Sequence, residues 1–188
     1  MKAFSEKSAA LTRRFFVYRK ITFWYARFLS WLLAAAVAVL IIPVSLQIFS
    51  RYTQLIPAYI WTEEMARFLF IWMVMIGAMI GVREGSHFEV DVWPDLGAKA
   101  TAALQLAAGV FVLVFAFVFL WAGWEFTRFA WNRVSELADL PLWMIHIAWP
   151  VTGLTWAVFQ SERMWDAWMV LTGRAQPKAV AQHLEAAE

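Results

Sequence analysis

The chain has 188 residues, 62% of them hydrophobic and only 16% charged, well short of the roughly 25% charged usual in a soluble domain. A formal net charge of +2 argues against nucleic acid as a partner. The absence of Cys excludes disulfides, thiolate nucleophiles, iron–sulfur clusters and cysteine-containing zinc sites, and leaves the compartment open. These bounds describe an integral membrane protein built as one compact unit, with no polar region large enough for a second domain.

Residues 1–27 carry Lys2, Lys7, Arg13, Arg14, Arg19, Lys20 and Arg27 among aromatic side chains, as in LTRRFFVYRKITFWYARF. Basic and aromatic groups favour the cytoplasmic headgroup layer, so a helix lying in that interface is expected. A cleavable signal is not expected, because the apolar segment that follows is long enough to span.

Spans are read from apolar windows, since about 20 such residues cross a hydrocarbon core of about 30 Å. Four windows qualify, at about 28–50, 61–82, 100–124 and 140–161. The second is the shortest between charges, from Arg67 to Arg83, and both arginines can snorkel to the headgroups. A soluble four-helix bundle would need a polar stripe on each helix, and these windows are apolar all round. The predicted fold is therefore an all-α bundle of four transmembrane helices, followed by a polar tail over 164–188.

Positive charge sets the orientation. The N-terminal segment, the middle loop with Arg83 and Lys99, and the tail with Arg163, Arg174 and Lys178 hold most of it, whereas the other two loops hold Arg51, Arg67, Arg128 and Arg133. Both termini are expected to be cytoplasmic.

The second window has charged groups at both ends, in WTEEMARFLFIWMVMIGAMIGVREGSHFEVD. At its start Thr62 is placed to cap a helix, Glu63 and Glu64 meet the positive end of the dipole, and Arg67 shares their face. The bland reading is a capped helix with an exposed ion pair; the alternative is contact with a protein partner. Gly77, Gly81 and Gly85 recur every fourth residue, a pattern that lets helices approach closely. Arg83 and His87 follow one turn apart, and FEVDVWPD reads as an interfacial segment turned by Pro94. In the last window Pro150 leaves the His146 carbonyl without its usual donor and should kink the helix.

His146 is a candidate ligand, but the ordinary expectation is a histidine hydrogen-bonded within the bundle. Haem anchored as in respiratory membrane subunits would need two facing histidines. The expected topology puts His87 and His146 at opposite membrane edges, and His183 in the tail. No Asp, Glu, Lys or Arg falls at mid-depth of any window, where Gln47, Gln105, Thr152 and Thr155 are the most polar groups. An ion or proton path normally needs such charged groups, and paired Gly/Pro-interrupted spans marking a transport site are absent too. Phosphate-cradling loops, a Ser/His/Asp arrangement and HExxH spacing are likewise missing. Nothing points to an enzyme.

The order of EEMAR at Glu63 to Arg67, GAMIGVREGSHFEVD, and PLWMIHIAWPVTG at the last window resembles the small membrane subunit of tripartite ATP-independent periplasmic (TRAP) transporters, the DctQ-type family. The resemblance runs from the first span to about Arg163. It implies a bacterial inner-membrane scaffold that holds a large multi-span elevator-type subunit, which imports an organic anion such as a carboxylate with sodium, supplied by a periplasmic substrate-binding protein. It implies no catalytic, metal or substrate site in this chain: sodium would bind the large subunit. Glu63, Glu64 and Arg67 match the outer motif, and Arg83, Glu84, His87 and Asp91 the cytoplasmic one, as structural or interface residues. Trp24, Trp61, Trp93, Trp131, Trp143, Trp165 and Trp168 are candidates for headgroup belts that anchor the scaffold among membrane lipids. The competing readings are the small subunit of a tricarboxylate-type tripartite system, a membrane anchor of a respiratory redox enzyme with or without haem, and a stand-alone carrier.

Overall fold

The computed structural model describes residues 2–53, 59, 61–84, 97–136 and 138–173. Among them are five helices: α1 (Lys2–Thr53), α2 (Trp61–Glu84), α3 (Ala98–Ala130), α4 (Trp143–His146) and α5 (Ala148–Leu171). No named strand occurs among the described residues; an isolated antiparallel bridge joins Val134 and Pro141.

The expected boundary between an interfacial helix and the first span is not a break. α1 runs without interruption for 52 residues, about 78 Å at 1.5 Å per residue. No Gly or Pro precedes Pro43, so nothing in that stretch stops a helix. The segment Tyr18–Thr53, all of α2, and Lys99–Ala130 of α3 are each long and apolar enough to cross a membrane. α5, with 24 residues, has the length but carries Gln160, Glu162, Arg163 and Asp166 in its second half and is not among those three. The expectation of four apolar spans is thus met by three, with α5 a more polar fourth helix.

The last helix also starts and ends later than its apolar window. Leu140 and Pro141 are held in a hairpin-like loop, where Ser135 N–H donates to the Leu140 carbonyl at 2.8 Å and Leu142 N–H to the Arg133 carbonyl at 3.0 Å. Asp139 turns this loop at φ 51°, a left-handed conformation that short polar side chains tolerate. Helix begins at Trp143, is interrupted at Ile147 (φ −64°, ψ −19°), and resumes from Ala148 to Leu171. Pro150 lies buried in the first turn of α5.

α3 packs along α5, α1 along α2, and α2 against α5. Ala26 and Leu29 of α1, Ile76, Met79 and Val82 of α2, Val112 of α3 and Phe159 of α5 share one apolar core. The seam of α3 is made of small residues: Ala102, Gly109, Ala116, Gly123 and Ala130, each seven positions after the last, are all buried. Across from them Gly153, Gln160 and Ala167 of α5 repeat the same interval and are buried as well. A seven-residue repeat keeps one stripe of a helix facing its neighbour, and small side chains in that stripe let backbones meet closely. At Gly153 a Cβ would stand 2.6 Å from the Ala116 carbonyl oxygen and 2.7 Å from the Leu120 nitrogen; at Gly123 it would stand 2.8 Å from the Pro150 nitrogen. The opposite face of α3 presents Phe111, Phe115, Phe117, Trp121, Phe126 and Phe129 outward, as expected of a helix bathed in lipid or covered by a partner.

Candidate functional site

Among the described residues, charged side chains gather at the two ends of the bundle, with threonines and glutamines among the polar groups between them. At the hairpin end, the two acids of the EEMAR motif take different roles. Glu63 faces outward and pairs with Arg67 at 3.3 Å, both side chains being more than 60% exposed. Glu64 is 7% exposed and accepts a hydrogen bond from the Ser135 hydroxyl, while Ser135 Oγ accepts one from Leu140 N–H at 3.2 Å. The buried carboxylate thereby ties the start of α2 to the loop between α3 and α4. Thr62 does not cap as its position predicts: its hydroxyl donates to the Tyr59 carbonyl at 2.7 Å, reinforcing the turn into α2. Nearby, Trp72 Nε1–H donates to the Met144 carbonyl at 3.0 Å, and the Arg133 guanidinium sits 3.9 Å over the Phe129 ring.

These contacts separate the two acids experimentally. Glu64→Ala leaves the buried Ser135 hydroxyl without its acceptor, at a cost of about 1–3 kcal/mol. Glu63→Ala removes an exposed pair worth about 0.2–1 kcal/mol. Thermal unfolding of the purified variants is expected to show a clearly larger loss for Glu64, and equal losses would refute the assigned tie.

At the other end, the beginning of α1 meets the ends of α2 and α5. Arg19 faces Glu162 at 3.7 Å and Asp166 more closely, with all three side chains under 20% exposed. The Thr22 hydroxyl lies 2.9 Å from both the Glu162 carboxylate and the Arg19 carbonyl, with one proton to share. Arg83 donates to the Thr22 carbonyl and lies 5.5 and 5.7 Å from the ring centres of Phe23 and Phe159. Arg163 donates to the Val82 carbonyl at 3.2 Å, one of the last carbonyls of α2, which have no partner within the helix. A cation also suits the negative end of the α2 dipole. Tyr25 and Thr155 hydroxyls meet at 2.9 Å one turn further in.

Among the residues singled out by sequence, Arg83 thus belongs to this cluster, and Glu84 is exposed beside it. His87, Asp91 and Gly85 lie outside the described residues, as does the segment turned by Pro94. Gly81 is buried, whereas nothing stands within 4 Å of a Cβ built on Gly77. Arg19 was legible only as one of the N-terminal basic residues, and Glu162 and Asp166 were not singled out by sequence as its partners. Their signal was the one-turn spacing of two acids on α5, facing a basic segment of α1 that contains Arg19.

Between the two ends the hydroxyls are satisfied locally. Thr152 donates to the Ala148 carbonyl at 2.7 Å, Thr127 to Gly123 at 2.8 Å and Thr155 to Val151 at 2.9 Å. Gln105 is exposed, and Gln47 Nε2 is buried without a partner among the described residues. His146 Nδ1 lies 2.7 Å from the Leu142 carbonyl, and its ring stacks on Phe126 at 6.0 Å. Among the described residues no group of three or more His, Asp or Glu is arranged to hold a metal ion.

Comparison with known proteins agrees with this layout. Residues 40–169 match the family model described as tripartite ATP-independent periplasmic transporters, DctQ component. The sialic acid TRAP transporter small permease protein SiaQ of Vibrio cholerae is 31% identical over 144 residues, covering 76% of this chain and 80% of that one. The C4-dicarboxylate TRAP transporter small permease protein DctQ of Rhodobacter capsulatus is 30% identical over 96 residues, 49% of this chain and 42% of that one. The isethionate TRAP transporter permease protein DctMQ of Oleidesulfovibrio alaskensis is 28% identical over 98 residues, which are 50% of this chain and only 15% of that one. These relatives are permease proteins of transporters and not enzymes, which turns the choice away from a redox-enzyme anchor. The match covers well over half of the sequence, and the chain belongs to the DctQ family of TRAP transporter small permease subunits.

Proposed function

We propose that this chain is the stationary scaffold of a sodium-coupled, binding-protein-dependent transporter, held beside a large multi-span subunit in a bacterial inner membrane. It contributes four spans with both termini cytoplasmic. The observation that carries this reading is the distribution of polar groups. Charged side chains sit at the two ends of the bundle, and the buried threonines between them bond to their own helix. A bundle of this kind offers no path of charged groups for an ion or a carboxylate, so solute and sodium pass through another subunit. The excess of Lys and Arg at the Arg19 end supports a cytoplasmic assignment for that end.

The relatives support the remaining parts. SiaQ and DctQ carry names of acidic solutes, sialic acid and C4-dicarboxylate, so an organic anion is the solute class proposed here. DctMQ, in which the matched part is a small fraction of a longer permease, supports a large subunit as the lasting partner. A periplasmic solute-binding protein completes the system. The scaffold role has a physical basis: a part that slides across the bilayer needs a fixed neighbour, and exposed Trp24, Trp61, Trp131, Trp165 and Trp168 resist vertical displacement at headgroup depth.

Reconstitution into liposomes tests this division of labour. The purified chain alone is expected to give no uptake of radiolabelled organic anion above empty vesicles. Addition of the large subunit, the binding protein and a sodium gradient is expected to give uptake that falls when this chain is left out. Uptake by the chain alone would overturn the proposal.

A further inference from the structure

The hairpin end of α3 carries a feature that neither the core nor the polar ties explain. Phe117, Leu120, Trp121, Trp124 and Glu125 of α3, with Pro150 of α5, line an open groove of about 300 Å³. The groove exists because Gly123 lets α3 close on Trp149 and Pro150, while the bulky side chains on either side of that contact stand outward. Its walls are apolar except at one end. There Glu125 pairs with Arg128, one turn further on, at 3.5 Å, and both side chains are largely exposed.

Depth gives this arrangement a meaning. Lys99–Ala130 is long and apolar enough to span, which puts the Glu125–Arg128 pair in its last two turns at headgroup level, with Trp121, Trp124 and Trp131 around it. The groove runs from that pair toward the bilayer interior along the Phe117 turn. We infer that the groove seats one acyl chain of a zwitterionic, primary-amine phospholipid, with Glu125 accepting from the headgroup ammonium and Arg128 donating to its phosphate.

Charge complementarity selects this occupant. The rim holds one anion and one cation a turn apart, which matches a headgroup bearing one phosphate and one ammonium. A singly anionic lipid would leave the Glu125 carboxylate facing its phosphate. A choline headgroup has no N–H to donate, so it forfeits the charge-assisted hydrogen bond. An apolar lining with a few convergent polar groups is the ordinary form of a ligand site, and the volume lies at the small end of the roughly 300–1,000 Å³ range, as suits a single chain segment.

The test uses the full chain, purified in detergent and stripped of lipid, then offered vesicles of phosphatidylethanolamine, phosphatidylglycerol or phosphatidylcholine and read by native mass spectrometry. One phosphatidylethanolamine is expected to be retained per chain, roughly ten-fold more than either other lipid, as expected for one charge-assisted hydrogen bond. Glu125→Gln is expected to erase the preference for phosphatidylethanolamine over phosphatidylcholine, and Leu120→Trp, which fills the groove, to reduce retention of all three. The reciprocal exchange E125R/R128E keeps a surface ion pair and guards against loss of fold; because position 125 lines the groove and 128 does not, it puts the cation where the headgroup ammonium would sit and is expected to lower retention. Equal retention of the three lipids, or retention unchanged in every variant, would overturn the inference. So would a photo-crosslinker at Trp121 that captures the large subunit in the assembled pair, because the groove would then be a protein contact. The inference rests on α3 being a span and not on assembly, and the measurement on the isolated chain can fail while the scaffold reading stands.

Discussion

Gly153→Leu is expected to cost the chain most of its folded yield, with a melting temperature in detergent too low to measure or sharply reduced. Overpacking a closed interior typically costs about 1–3 kcal/mol when side chains can yield. At Gly153 the atoms in the way are the Ala116 carbonyl oxygen and the Leu120 nitrogen, which are backbone and cannot rotate aside. The α3–α5 seam would have to part along much of its length, and with it the contact of Gly109 on Gln160 and Met164. Gly77→Ala is the matched control. It meets nothing within 4 Å in this chain and gains the roughly 0.5–1 kcal/mol by which Ala exceeds Gly in a helix. Size-exclusion profiles and thermal unfolding of the two variants are expected to diverge in opposite directions, and a well-folded Gly153→Leu protein would refute the seam.

Arg19→Ala is expected to produce the largest loss among the charged positions. It removes the cation that both Glu162 and Asp166 face and leaves two acids one turn apart on α5 at low exposure. Breaking a fully buried pair costs roughly 3–5 kcal/mol, and a partly exposed cluster such as this one on the order of 2–3 kcal/mol. Arg67→Ala, which breaks an exposed pair, is expected to cost about 0.2–1 kcal/mol. Arg19→Lys keeps the charge but not the two-pronged geometry and should recover part of the loss. Unfolding monitored by tryptophan fluorescence checks the ranking. If Arg19→Ala and Arg67→Ala lose equally little, the cluster does not hold α1 to α5.

The consequence for α1 goes beyond stability. Its apolar half is little covered by the rest of the chain, so the ties at Tyr18, Arg19, Thr22 and Tyr25 to α5 hold it to that helix alongside its packing on α2. The basic segment that precedes Tyr18 continues the same helix.

Helix content and three of the apolar spans were legible because charge-free windows of span length carry their own signal. The position of the tight seam was not. Gly77 drew attention by its four-residue interval to Gly81 and meets nothing within 4 Å, whereas Gly123 and Gly153 come against backbone atoms of the facing helix, Gly123 within a seven-residue series that mixes Ala with Gly on α3. Alanine is so common in spans that the longer interval is masked unless a period of seven is sought. The EEMAR motif was recognisable as a unit, but the division between an exposed Glu63 and a buried Glu64 depends on Ser135, which lies 71 residues away in sequence. Long-range pairing of that kind leaves no local trace. The same holds for Arg19, whose partners are on α5, and for the start of the last helix, where Pro141 is drawn into the hairpin by Val134 instead of opening a helical turn.

The scaffold account is tested most directly by asking what the intact chain holds in the membrane. An affinity tag on this chain, expressed with its native neighbouring genes and purified in mild detergent, should bring down one large multi-span permease in equal molar amount by quantitative mass spectrometry. Arg19→Ala and Gly153→Leu should lower that recovery in step with their loss of folded chain. Recovery of this chain by itself from membranes that contain the large permease would contradict the account.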